Sequence, residues 1–159
     1  MKITIISVGK IKEAFYRDAV SEYRKRLSAF CKLDLIEVDD EKTPDKAGDE
    51  ENKRIRDKEG ERIRKYLDPH AYVIALAIHG KSYDSVALSR HMDELMLSGR
   101  SHIIFVIGGS LGLSEDVLRA SDEQLSFSKL TFPHQLMRVI LLEQLYRCFK
   151  ISKGEPYHK

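Results

Sequence analysis

The chain has 159 residues, 42% of them hydrophobic and 33% charged, with a net charge of +2. That size and balance describe one folded domain with a real core, and they exclude a disordered chain. The charge is too small to argue nucleic-acid binding by itself, and no run approaches the roughly 18 apolar residues of a membrane span.

The short apolar run Ile3 to Val8 lacks a small-residue cleavage site, so no signal peptide and a cytoplasmic location are expected. Cys31 and Cys148 sit in apolar surroundings and read as reduced thiols. No Cys/His spacing points to a metal. With no linker or repeat to divide it, the whole of 1–159 reads as a single domain.

Lys2 to Val8 reads as a buried strand closed by Gly9. Glu13 to Ala29 carries a helical stripe of Phe15, Ala19, Val20, Tyr23 and Leu27. Cys31 to Val38 fits a second strand. Asp39 to Gly48 is a polar loop. Asp49 to Tyr66 is dense in charge, with acid before base at Asp49–Lys53, Glu50–Arg54 and Glu61–Lys65; it reads as a solvated outer helix. Asp68-Pro69 stops it.

Tyr72 to Ile78 is an almost unbroken apolar run, as in a parallel strand buried on both faces. Ser82 to Leu97 reads as a helix and Ile103 to Ile107 as another buried strand. Ser114 caps a short helix to Ala120, with Glu115 and Asp116 in its first turn. Gln124 to Ser128 is a short strand and His134 to Lys150 a long helix. His79, His91 and His102 read as surface or strand-end residues. The alternation predicts an α/β domain around a largely parallel sheet.

The glycines Gly108, Gly109 and Gly112 follow the fourth strand, not the first, and read GGxxG. Neither a GxGxxG nor a Walker pattern is present. Glu115 and Asp116 already occupy the positive end of the helix behind the loop and would repel a phosphate. A ligand carrying little negative charge, or a positive centre, fits better; S-adenosylmethionine is one. The segment Phe127-Ser128-Lys129-Leu130-Thr131-Phe132 can offer backbone groups to an adenine edge while Leu130 and Phe132 cover its face.

In the last helix, Met137, Leu141, Leu142, Leu145, Cys148 and Phe149 form one stripe, and Leu136 and Ile140 lie nearly opposite. A helix apolar on two sides is buried on two sides, so a homodimer is expected. From His134 onward, five Lys/Arg face two Asp/Glu. Basic charge beside Tyr157 and His158 suits RNA.

Taken together these parts resemble the SPOUT-class RNA methyltransferases with a trefoil knot, and within them the ribosomal RNA large-subunit methyltransferase H family. The resemblance covers essentially the whole chain. It rests on Val8-Gly9-Lys10, Asp57-Lys58-Glu59-Gly60-Glu61, Ile107-Gly108-Gly109 with Gly112-Leu113-Ser114, Leu130-Thr131, Pro133-His134, Arg138-Val139, Glu143-Gln144-Leu145-Tyr146-Arg147 and Pro156-Tyr157-His158. It implies a C-terminal knot, a homodimer, S-adenosylmethionine as cofactor, and N3 of a pseudouridine in 23S rRNA of the assembled ribosome as target. Carried over by position, the cofactor contacts fall on Leu76, Gly108 with its neighbour Gly109, and Phe127 to Phe132.

The implied chemistry is in-line displacement, helped mainly by holding the ring nitrogen and the methyl group in near contact. The N3 proton must leave, so a base or a cation near it would help. His158, Tyr157 and Arg138 are the candidates. A ribosome-binding assembly factor without catalysis would share the basic tail but would bind no cofactor.

Overall fold

The computed structural model describes Met1–Lys159. Five apolar segments form five strands: β1 Lys2–Val8, β2 Lys32–Val38, β3 Tyr72–Ser82, β4 His102–Ile107 and β5 Glu123–Ser126. Five helices alternate with them: α1 Ala14–Leu27, α2 Asp49–Arg64, α3 Ser85–Leu97, α4 Glu115–Ala120 and α5 His134–Ser152. The sheet runs in the order β2-β1-β4-β3-β5 and every pairing is parallel.

The unbroken apolar runs are explained by two-sided burial. Ile3, Ile5, Ile103, Phe105 and Ile107 face α1, α3 and α5, meeting Leu27, Leu88, Met92 and Leu141. Ile6, Val8, Ile104 and Val106 face the other way, toward Ile63 of α2 and Val117 of α4. Phe105 and Ile104 are fully buried, each side chain contributing roughly 1.5–3 kcal/mol.

Three departures from the sequence expectation shape the surroundings of the later crossing. β3 runs on to Ser82: its pairing with β5 breaks after Leu76 and resumes at Lys81, and the chain between makes an excursion. α3 therefore starts later, at Ser85, where the Asp84 carboxylate accepts the Ala87 N–H at 2.7 Å. β5 ends at Ser126, because Phe127 already turns away. The ion pairs on α2 also differ from the expected set: Lys53 pairs with Asp57 at 2.9 Å and Arg54 with Glu51 at 3.7 Å. His91 is half-buried on α3, 2.6 Å from Glu123, so it is not a plain surface residue.

After β5, at one edge of the sheet, the chain crosses to the far side of β4. There α5 begins beside the end of β1, and the Lys12 N–H donates to Gln135 Oε1 at 3.1 Å. No helix is long and apolar enough to cross a membrane.

Candidate active site

β3 and β4 are neighbours whose onward helices, α3 and α4, pack on opposite faces of the sheet. At such a switch point the chain diverges and leaves a crevice beyond the carboxyl ends of the strands. A cleft of about 650 Å³ opens here, between the end of β4, the excursion in β3 and the crossing segment before α5. Leu76, Gly108, Gly109, Phe127, Ser128, Leu130, Thr131 and Phe132 all line it. Lys129, the ninth candidate, is exposed and does not.

The glycine loop folds back on itself. The Gly112 N–H donates to Gly109 O at 3.1 Å, and Gly112 takes φ +82°, open to glycine at little cost. A Cβ on Gly108 would stand 2.7 Å from the Gly112 carbonyl carbon. Gly108 is thus required by the closure of the loop itself, and Gly108, Gly109 and Gly112 border the cleft without side chains. Ser114 follows it and accepts the Val117 N–H at 3.3 Å, starting α4. Across the cleft, Ser128 Oγ accepts the Leu130 N–H at 3.0 Å and shapes the crossing segment. Leu130 is 70% exposed and Ile78 48%, so the rim is apolar and uncovered.

Two lining residues were visible in the sequence only as parts of motifs or helices. His134 and Met137, on the first turn of α5, close one end of the cleft. Burial holds the His134 imidazole below its usual range, and the nearby Arg138 cation pushes the same way. The placement of His134 directly after Pro133 was the one available signal.

Behind the glycine loop lies a polar annexe of about 260 Å³, sharing Gly109, Ser110 and His134 with the cleft. Its inner wall is Glu59, only 4% exposed. The sequence reading of α2 as a solvated helix did not anticipate a buried carboxylate there. Glu59 lies between Ile55 and Ile63 on the one buried face of α2.

Arg138 does not line the cleft. It is 4% exposed and donates to Glu37 at 2.6 Å, to Val8 O at 2.9 Å and to Gly9 O at 2.6 Å. It fastens α5 to the end of β1. The tail is also ordered. Tyr157 donates to Glu143 at 3.0 Å, packs edge-on against Tyr146, and lies under Arg147. Arg147 donates to Glu143 at 2.5 Å and to His158 Nδ1 at 3.2 Å. Burial, then the Glu143 carboxylate, pushes the Tyr157 phenol up to about 12. The basic excess of the tail is thus partly spent, since Lys150 pairs with Glu155 as well. His158 and Tyr157 come together with each other, but not with the cleft of their own chain. No group of three or more His, Cys, Asp or Glu side chains could hold a metal ion.

A parallel α/β sheet with a glycine-looped cleft at its switch point, bordered by a crossing segment, is an arrangement in which α/β domains bind small molecules. The family described as predicted SPOUT methyltransferase matches residues 1–158, and the chain belongs to it. It is 58% identical over 159 residues to the ribosomal RNA large subunit methyltransferase H of Bifidobacterium adolescentis, covering 100% of both chains. It is 58% and 59% identical, again over the full length of both, to putative ribosomal RNA large subunit methyltransferases H of Methanococcus maripaludis and Methanococcus vannielii. A solved structure of a probable methylase family protein from Haemophilus influenzae matches 99% of this chain and 70% of its own, with a TM-score of 0.54. At 13% identity that likeness concerns the fold alone.

Proposed function

We propose that this protein transfers a methyl group from S-adenosylmethionine to N3 of a pseudouridine in 23S rRNA of the assembled ribosome, acting in the cytoplasm as a homodimer. The full-length relatives named as large-subunit rRNA methyltransferases support this reading. The observation that carries it is the meeting of Leu76, Gly108 and the 127–132 segment, remote in sequence, around one cleft.

The cleft fits the donor chemically. Its volume lies within the range of small-molecule sites. Leu76, Leu130, Phe132 and Met137 give apolar walls for a purine, and the bare Gly108 backbone gives close polar groups. Glu115 and Asp116 occupy the first turn of α4 and disfavour a nucleotide phosphate. Bound here, S-adenosylmethionine supplies an electrophilic methyl group. The protein's part is to position, to exclude water and to help the N3 proton leave.

In this reading His158 and Tyr157 serve the target base, and the 127–133 crossing is the knotted passage. Arg138 acts by fixing the start of α5. His134 and Arg147 are separated by about 20 Å along the helix axis at 1.5 Å per residue. The tail that packs on Arg147 therefore meets a cleft only in a second copy of the chain. Leu136 and Ile140, half-buried on the side of α5 away from the core, supply a face for that copy.

The test is mass spectrometry of rRNA from cells lacking the protein. A methyl group should vanish from 23S rRNA and return with purified protein, S-adenosylmethionine and intact ribosomes. Gly108→Val should abolish both cofactor binding and restoration. An unchanged methylation pattern would sink the enzyme reading in favour of a ribosome-binding assembly factor.

A further inference from the structure

We propose that Glu59 receives the α-ammonium of the methyl donor's amino-acid tail, in the polar annexe behind the glycine loop. The inference rests on the cofactor reading above and extends it to a residue outside the candidate set.

Glu59 is an anomaly on its helix. It is the one charged residue of α2 that is buried, 4% exposed, beside Ile55, Gly60 and Ile63. Its Oε2 accepts the Glu41 N–H at 3.0 Å, and no donor of the protein reaches Oε1. Oε1 is left to the small solvent space of the annexe, and a carboxylate held this deep by a single donor is only partly compensated for its lost hydration. Burial holds the Glu59 carboxyl above the usual carboxylate range; the Glu41 N–H works against that, and the Asp40 charge adds to it. An incoming cation would relieve this cost.

The position is the right one. A Cβ on Gly109 would stand 3.3 Å from Glu59 Oε1 and 3.4 Å from Oε2, so the loop glycine lies directly on the carboxylate. Because Gly109, Ser110 and His134 border both spaces, the annexe opens off the cleft. With adenosine against the apolar walls, the amino-acid tail needs a polar exit.

The charges around the annexe match a zwitterion. On the acidic side stand Glu59 and Asp40, neither in an ion pair; the third carboxylate, Glu41, is already paired with Arg62 at 2.5 Å. The same space is also lined by Lys42, Thr43 and Ser110, a cation and two hydroxyls suited to the tail's carboxylate. Burial disfavours the charged form of His134, which weakens it as a competing cation. An anion alone would meet repulsion from two carboxylates, and an apolar group would meet a single apolar residue, Val8.

Calorimetry with two compounds tests the assignment. S-adenosylhomocysteine keeps the zwitterionic tail; 5′-methylthioadenosine lacks it. Glu59→Gln keeps the shape and the acceptor for the Glu41 N–H while removing the charge. It should weaken S-adenosylhomocysteine by roughly 10- to 100-fold, the range of a hydrogen bond to a charged group, and leave methylthioadenosine unchanged. With the wild-type protein, the homocysteine analogue lacking its α-amino group should bind as weakly as the variant binds the parent. Equal loss of both compounds in the variant would mark a merely structural residue and overturn the proposal. So would unchanged affinity for both, including the case in which methyl transfer alone is lost. If the wild-type protein binds neither compound, the cofactor reading itself falls and takes this inference with it.

Discussion

Arg138 carries a charge that the protein spends on itself. Its guanidinium serves Glu37 and the carbonyls of Val8 and Gly9, at the point where the chain returns to β1 after its crossing. Replacement by Met keeps the length and removes every donor. Two buried carbonyls then lose this donor and Glu37 keeps only the Ile11 N–H, at a cost of roughly 3 kcal/mol. A large part of the stability of a domain this size would go. Urea denaturation should show the drop, and Arg138→Lys should restore little of it, because one ammonium cannot span the three acceptors. Sequence placed Arg138 one turn into the last helix and made it a candidate for the substrate. Glu37, 101 positions away, was not legible as its partner. Pairing of this kind depends on which strand ends meet, and no local pattern records it.

The elements around the glycine loop are held by close approach of α2 to α4. A Cβ on Gly60 would stand 2.3 Å from Ser114 Oγ, 3.1 Å from Ser114 Cβ and 3.3 Å from Val117 Cγ2. Ser114 caps α4 and ends the loop, so this contact reaches the cleft. Two effects of Gly60→Ala compete. Helix propensity favours the alanine by about 1 kcal/mol. Overpacking against a buried cap costs about 1–3 kcal/mol. Net destabilisation is expected, together with weaker cofactor binding; denaturation and calorimetry on the one variant read both. A gain in stability would mean that α4 yields freely.

The helical character of α2 was readable from its charges, and its exposed face from their order. Ile55 and Ile63 marked its buried face, but nothing marked the glutamate and the glycine between them as buried. The excursion in β3 was equally hidden. Gly80 and the polar residues beside it look like a strand end, whereas the pairing resumes at Lys81 once β5 is in place.

At the scale of the molecule, the alternation of strands and helices was legible because each central strand is apolar on both faces. The strand order was not, as nothing in a strand's composition names its neighbour. The cleft was half legible. Its glycines and its crossing segment stood out, but their meeting depends on β3 lying between β4 and β5. The length of α5 then sets the central question about assembly, because it holds His134 at the cleft and the tail's anchor Arg147 apart. Mixed dimers resolve it. A chain with Gly108→Val has a ruined cleft and an intact tail; a chain lacking 156–159 has the reverse. Each alone should be inactive on ribosomes. Refolded together, they should regain about a quarter of wild-type activity, since half of randomly assorted two-fold dimers are mixed and each mixed dimer holds one good site. If the tail served its own protomer, the mixture would stay inactive, for no chain in it would carry both parts. Light scattering that found only monomer at micromolar concentration would defeat the shared site before any activity was measured.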